Sequence, residues 1–152
     1  MFLIVHAAAG ALIGESLNPP LLSFASGIGS HALLDIIPHG DEIIGRLFVR
    51  KGCIKWLVAL AFIDVLAAAS LVVVLWMAGL FPNAAGALAG ALGSILPDVL
   101  VGLSELSHGK LWPDFTKLHM ANHRLLGVEV PVLFGFSIQA ITLWAIIVGL
   151  RI

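Results

Sequence analysis

The sequence contains few charged residues, one cysteine and no tyrosine. Eight Lys and Arg and nine Asp and Glu make up 11% of the 152 residues, whereas a typical soluble domain has about 25%. This charge is too sparse to cover the surface of a water-soluble globule. The net charge of −1 argues against a nucleic-acid-binding protein. The one cysteine, Cys53, excludes an internal disulfide and a multi-cysteine zinc site.

Hydrophobic residues dominate the composition. They account for 60% of the chain, and the mean hydropathy is +1.07. A composition this apolar is typical of a protein whose solvent is the lipid bilayer. The length suits one domain, so we expect residues 1–152 to form a single integral membrane domain.

Five apolar stretches predict an all-α, polytopic membrane helix bundle of about five transmembrane helices. The clearest, Trp56–Phe81 and Leu125–Leu150, exceed the about 20 residues that cross the hydrocarbon layer. Small residues fill Asn83–Ser104, which is typical of a helix packed inside a bundle. Two shorter stretches, Phe2–Leu17 and Pro20–Pro38, are separated by a proline turn, which favours a hairpin.

Basic residues lie mostly on one side of this arrangement. Two loops on the same side carry seven of them, and the opposite side carries Arg151 alone. The seven are Arg46, Arg50, Lys51, Lys55, Lys110, Lys117 and Arg124. The positive-inside rule therefore predicts a cytoplasmic N-terminus.

Histidines and aspartates cluster near the predicted cytoplasmic ends of the helices. Ionisable groups in membrane spans cost about 2.5–3.5 kcal/mol each at the helix centre and therefore indicate function. Both the His31–Asp35 and the His119–His123 pairs have the i,i+4 spacing that shares one helix face. The candidate metal ligands are His6, His31, Asp35, His39, Asp98, His119 and His123.

Imidazole and carboxylate ligands suit a divalent metal, of which zinc is the first candidate and manganese or iron the others. The set suffices for one metal with an open position, or for two metals about 3.5–4 Å apart. A structural alternative is that these groups hydrogen-bond within the bundle. Asp64, Asp41 and Glu129 have no assigned role; each suits a carboxylate partner for a ligand histidine or a contact between helices.

These motifs resemble a known family. They are His6 in a small-residue first helix, the segment Ser30–Asp41, the Leu96-Pro97-Asp98 step and a late His-rich segment. Together they are similar to the bacterial inner-membrane metal-dependent hydrolases described as LexA-binding inner-membrane hydrolase-like proteins. The resemblance implies a multi-pass protein of the bacterial inner membrane. It also implies a metal site that includes His6, Asp98, His119 and His123.

The leading functional hypothesis is a membrane-embedded metal-dependent hydrolase of phosphoester or lipid substrates at the cytoplasmic interface. Asp35 and Asp98 are the candidate catalytic residues, as base or additional ligand. Lys117 and Arg124 are the candidate substrate-binding residues, because they follow the histidine pair and can hold an anionic headgroup. One alternative is a metal-ion or small-solute transporter that uses the same cluster and Asp64. Another is a non-catalytic membrane scaffold subunit. The expected partners are the bilayer and, as a further candidate, copies of this chain in a homo-oligomer.

Overall fold

The computed structural model describes residues 1–50 and 52–149, and this part of the chain forms seven α-helices and no β-strand. The predicted all-helical fold is therefore confirmed. The side chains of Arg46 and Arg50, together with Lys51 and Arg151, lie outside the described residues. The helices are α1 (Leu3–Glu15), α2 (Pro20–Asp35), α3 (Asp41–Arg50), α4 (Ile54–Met77), α5 (Ala84–Leu106), α6 (Pro113–His123) and α7 (Val132–Gly149).

Three of the described helices are long and apolar enough to cross a membrane, which supports a membrane protein. They are the Lys55–Met77 part of α4, the whole of α5 and the whole of α7. The first two helices, with 13 and 16 residues, are shorter than the about 20 residues of a full span. The expectation of five spans and the cytoplasmic side of the N-terminus therefore stay predictions.

Two connecting segments contain helices that we did not predict. α3 and α6 each lie in a segment expected to be a basic loop. The last apolar helix begins at Val132, and not at Leu125 as the hydropathy indicates. Gly127 adopts a positive φ of 62°, and Pro131 restricts the residue before it to extended conformations. Together they prevent α7 from beginning before Val132.

The core of the bundle is built where helix backbones touch. A Cβ atom at Gly90 of α5 would overlap the carbonyl oxygen of Gly10 in α1, and one at Gly86 would overlap that of Gly14. These pairs place α1 antiparallel to α5. On α2, a Cβ at Gly27 would overlap the Gly90 carbonyl oxygen. Small residues thus let three helices approach more closely than any larger side chain allows.

This packing brings several helix ends to one end of the bundle. The start of α1 lies beside the end of α2, where His6 contacts Asp35. The second half of α5 continues through Pro97 to the same end. Helix α6 is tied there by Asn122, whose side-chain amide donates to the carbonyl oxygen of Ala32 (2.8 Å). Side chains from four helices therefore face one region.

Candidate metal centre

The structure brings all seven predicted ligand residues together at this end of the bundle. One comes from α1, two from α2, one from the turn after α2, one from α5 and two from α6. All five imidazole rings turn Nε2 toward the two carboxylates. The seven are His6, His31, Asp35, His39, Asp98, His119 and His123. We name this set the His/Asp cluster.

Asp35 is the centre of the His/Asp cluster and is fully buried. Its Oδ2 lies 2.9 Å from His31 Nε2 and 3.1 Å from His123 Nε2. The same oxygen lies 3.9 Å from His119 Nε2, and Oδ1 lies 3.9 Å from His39 Nε2. Both oxygens of this one carboxylate are therefore surrounded by imidazole nitrogens.

Asp98 approaches the same nitrogens from α5. Its Oδ1 lies 3.4 Å from His119 Nε2 and 3.9 Å from His31 Nε2, and its Oδ2 lies 3.8 Å from His6 Nε2. The Asp98 side chain is 23% exposed, whereas that of Asp35 is fully buried. Asp98 is therefore the carboxylate of the cluster that a molecule entering the site can reach.

The tautomers of two rings can be assigned from their hydrogen bonds. His31 Nδ1 donates to the carbonyl oxygen of Ser94 (2.8 Å), and His39 Nδ1 donates to that of Ile37 (2.6 Å). In a neutral ring, a proton on Nδ1 leaves a lone pair on Nε2. This arrangement, in which a backbone carbonyl fixes the ring, is the usual one for a metal-ligating histidine.

One buried contact in the cluster requires a positive charge between its two atoms. His31 Nε2 and Asp35 Oδ2 lie 2.9 Å apart, and both atoms are buried. Because His31 Nδ1 already donates to Ser94, either a second ring proton or a metal ion lies between them. The imidazole and carboxylate groups that converge here are a donor set that fits a divalent metal.

Two groups of ligand atoms meet at Asp35. His31, Asp98 and His119 form one group with Asp35, while His39 and His123 form the other. Within each group the ligand atoms lie within 4.8 Å of one another. The groups also touch through His119 and His123, whose Nε2 atoms are 2.9 Å apart. These nitrogen and oxygen donors suit zinc, manganese or iron.

His6 belongs to the cluster but lies outside both groups of ligand atoms. Its Nε2 donates to Asp35 Oδ1 (3.1 Å), and its ring stacks on His31 with the centroids 4.1 Å apart. The α-amino group of Met1 also donates to Asp35 Oδ1 (2.7 Å) and to His39 Nε2 (2.6 Å). His6, predicted to be a metal ligand, is therefore placed to hold the Asp35 carboxylate and the His31 ring.

The environment of His119 keeps its imidazole neutral. Burial lowers the pKa of His119 to about 4, and the neighbouring His123 contributes in the same direction. The helix that carries it, α6, is not among the helices long enough to span a membrane. A neutral ring at pH 7 is the form that binds a metal.

Two residues that sequence reasoning did not assign to the site hold His39 in place. Gln139 of α7 is buried, and its side-chain amide donates to the His39 carbonyl oxygen (3.2 Å) while accepting from Phe2 N–H (2.7 Å). Gly135, one turn earlier, lies so close that a Cβ atom there would overlap the same carbonyl oxygen. The sequence feature that could have indicated a role for Gln139 is that it is the one amide side chain in the apolar α7 sequence.

Asp64 has a structural role at the start of α1. Its carboxylate accepts from the backbone N–H groups of Leu3 (2.7 Å) and Ile4 (3.2 Å). The first N–H groups of a helix have no partner inside the helix, and a carboxylate also favours the positive end of the helix dipole. Asp64 therefore caps α1 from α4. The side chain of Asp41, to which we assigned no role, lies outside the described residues.

The two candidate substrate-binding residues lie in different places. Lys117 is exposed and pairs with exposed Asp114 (3.0 Å) on the outer face of α6. Arg124 follows α6 and lines a cavity of about 180 Å³ together with His39, His123 and Glu129. Among the described residues, the structure thus brings Arg124 to the cluster and leaves Lys117 outside.

A second cavity also reaches the cluster. It has a volume of about 380 Å³ and is lined by α1, α3, α4, α5 and α6. Asp98, His119 and His123 form its polar part. His123 lines both cavities, so both of them border the cluster.

No protein-family model, curated protein or solved structure matches the chain. The resemblance to the LexA-binding inner-membrane hydrolase-like proteins therefore stays a prediction that rests on four short motifs. What the protein does has to be inferred from the geometry of the cluster and of the two cavities.

Proposed function

We propose that the protein is a metal-dependent hydrolase of the bacterial inner membrane that cleaves phosphoester or lipid substrates at the cytoplasmic interface. The observation that carries the proposal is the convergence of imidazole nitrogens and carboxylate oxygens, in which the ligand atoms of His31, Asp35, Asp98 and His119 lie within 4.8 Å of one another. Buried ionisable groups are costly unless they share a partner. A metal ion is such a partner.

The ligand groups support two divalent ions, of which zinc is our first choice. Asp35 belongs to both groups, and a carboxylate with two oxygens can serve two ions at once. His31, Asp98 and His119 complete one group, and His39 and His123 complete the other. Bound divalent metal supplies Lewis acidity and activates water near neutral pH.

The two aspartates have different roles in this proposal. Asp35 is fully buried and surrounded by imidazoles, so it organises the ligands. Asp98 lines the larger cavity, so it is placed to accept a proton from the attacking water or to orient that water. Arg124 lines the smaller cavity beside His123, where its guanidinium can hold the oxygens of an anionic group.

The transport and scaffold alternatives receive less support from the structure. A transit path needs polar groups beyond the cluster, and the Asp64 carboxylate accepts two hydrogen bonds from the backbone of α1. A scaffold has no use for this many buried ionisable side chains directed at one point. Neither alternative explains the cavities that open onto Asp98 and His123.

Hydrolysis by the purified protein tests the proposal. The detergent-purified chain, loaded with zinc, is assayed with a water-soluble chromogenic phosphoester and with a phospholipid in mixed micelles. We expect turnover that a chelator abolishes and that falls at least about 100-fold in Asp98→Asn. Asp114→Asn is the matched control, because this carboxylate is exposed on α6. Turnover that survives the chelator, or is equal in the two variants, contradicts the proposal.

A further inference from the structure

The larger cavity is lined by both polar and apolar residues. Its polar part is formed by Asp98, His119 and His123 of the cluster. Away from the cluster, α4 and α5 supply aliphatic walls. The wall residues that matter here are Leu57, Leu60, Ala61, Val65, Val101 and Gly102. We call this cavity the acyl groove.

The wall of the acyl groove includes exposed residues on both α4 and α5. Val65 of α4 and Val99 of α5 both line it and are 42% and 40% exposed. Beside Val65, the side chains of Phe62 and Ile63 are also exposed, on a helix long and apolar enough to lie in a bilayer. The hydrocarbon of the bilayer therefore has direct access to the groove.

Asp64 is a polar side chain on the wall of the groove, but the wall away from the cluster is otherwise apolar. Asp64 lines the groove, but its carboxylate oxygens accept from the backbone of Leu3 and Ile4. Its charge is thereby directed at the start of α1. The remaining wall residues away from the cluster are aliphatic or aromatic, or are glycine. A volume of about 380 Å³ lies in the range of small-molecule sites, about 300–1,000 Å³.

The smaller cavity shares His123 with the acyl groove and has a different lining. Arg124, Glu129 and His39 contribute polar groups to its wall. An amphipathic molecule that passes His123 would thus have its charged part beside Arg124 and its chain among the residues of α4 and α5. The bond between these two parts would lie at the His/Asp cluster.

We propose that the acyl groove binds one acyl chain of a membrane phospholipid, so that the substrate of this site is a lipid whose ester or phosphoester bond lies between Asp98 and His123. This inference rests on the proposed hydrolase function for the reaction, but binding of the chain can be measured without any turnover. The groove enters directly from the bilayer, so the substrate reaches the cluster without leaving the membrane.

A pair of glycine substitutions tests the groove. A Cβ atom at Gly102, on the groove wall, meets nothing within 4 Å, and neither does one at Gly29 of α2, which lines neither cavity. Gly102→Phe should therefore fill the groove without disturbing the backbone, and Gly29→Phe is the matched control. Each protein is incubated with palmitoyl-oleoyl-phosphatidylglycerol vesicles and re-extracted in detergent. The lipid retained per chain is then counted by native mass spectrometry.

We expect the wild type and Gly29→Phe to retain one phospholipid per chain and Gly102→Phe to retain at least tenfold less. Phospholipid turnover should fall in parallel in Gly102→Phe and should stay at the wild-type level in Gly29→Phe. Equal retention by the two variants, or no retention by the wild type, overturns the groove proposal. If the wild type retains lipid, Gly102→Phe does not, and no protein shows turnover, the binding of lipid in the groove is supported and only the hydrolase function is contradicted.

Discussion

Helices α4 and α5 have nearly the same length and are both apolar enough to cross a membrane, but they pack in opposite ways. In the most apolar window of α5, 39% of the residues are buried, against 6% in that of α4. The sequence of α5 contains four glycines and that of α4 none, whereas α4 contains five valines and two tryptophans against two valines and no tryptophan in α5. Side-chain size therefore decides which helix lies inside the bundle and which faces lipid.

The ligands of the His/Asp cluster follow this division. His6, His31, Asp35 and Asp98 all belong to the closely packed helices α1, α2 and α5. α4 contributes the cap of α1 and a wall of the acyl groove. A metal site needs ligand positions fixed within a fraction of an ångström, and helices in backbone contact supply this. Helix α4 carries none of these ligands and does not need the same positional precision.

The largest effect is expected where α1 and α5 touch. In Gly90→Leu the new side chain would overlap the carbonyl oxygen of Gly10, so the helices must separate. Overpacking of this kind costs about 1–3 kcal/mol or more, and the separation should also disrupt the cluster. Gly29→Leu on α2 is the control, because its Cβ meets open space. Thermal unfolding in detergent measures the difference, and equal unfolding temperatures would refute the close-packed frame.

A smaller effect is expected for Gly135→Ala in α7. The added Cβ would overlap the carbonyl oxygen of His39 and push this histidine away from Asp35. Disturbing the support of a ligand typically lowers metal affinity by about 10–100-fold. Gly149→Ala in the same helix meets only an ordinary contact with Leu12. Zinc titration of both variants tests whether the contact with α7 positions His39; unchanged affinity in Gly135→Ala would show that it does not.

Loss of the cap on α1 should reduce stability without emptying the site. Asp64→Ala removes the acceptor for the Leu3 and Ile4 N–H groups, and loss of a helix cap costs about 0.5–2 kcal/mol. We expect a lower unfolding temperature with unchanged zinc content. If the variant instead retained its stability and lost zinc uptake into proteoliposomes, the transport alternative would gain the support that it lacks now.

The smallest effect is expected on the lipid-facing side of α4. Ile63 is exposed there, and Ile63→Ala should change the free energy of unfolding by no more than about 0.5 kcal/mol. Leu75 of the same helix is buried in the core, so Leu75→Ala should cost clearly more than Ile63→Ala, because it leaves a cavity. Comparing the two by thermal unfolding separates the two faces of α4. Equal losses would mean that Ile63 is covered by a partner.

Much of the fold and of the cluster follows from local sequence patterns. Apolar runs indicate the long helices, and the i,i+4 spacing of His31 and Asp35 places both side chains on one helix face. The structure extends this with contacts between distant residues. His39 follows the end of α2 at Asp35, so no helical periodicity positions it. Its place depends on Gln139, 100 residues later in the chain, which no spacing rule relates to it.

Short segments between the long helices were the least predictable part. Charged and polar residues in Asp41–Arg50 and Pro113–His123 suggested loops, but both segments form helices. In the second segment, the helix decides which way each charge faces. Lys117 lies on the exposed face with Asp114, while His119 and His123 face the cluster. Adjacency in the sequence had suggested that Lys117 would join them.

Metal content of the purified protein tests the central claim most directly. After zinc loading and removal of excess metal, elemental analysis should give two zinc ions per chain for the wild type and for Asp114→Asn. Asp35→Asn should lower zinc affinity by more than about 100-fold, because it alters the carboxylate that both ligand groups share. Wild-type protein that binds no zinc, manganese or iron in stoichiometric amount, and unfolds at the same temperature with and without metal, would contradict the account.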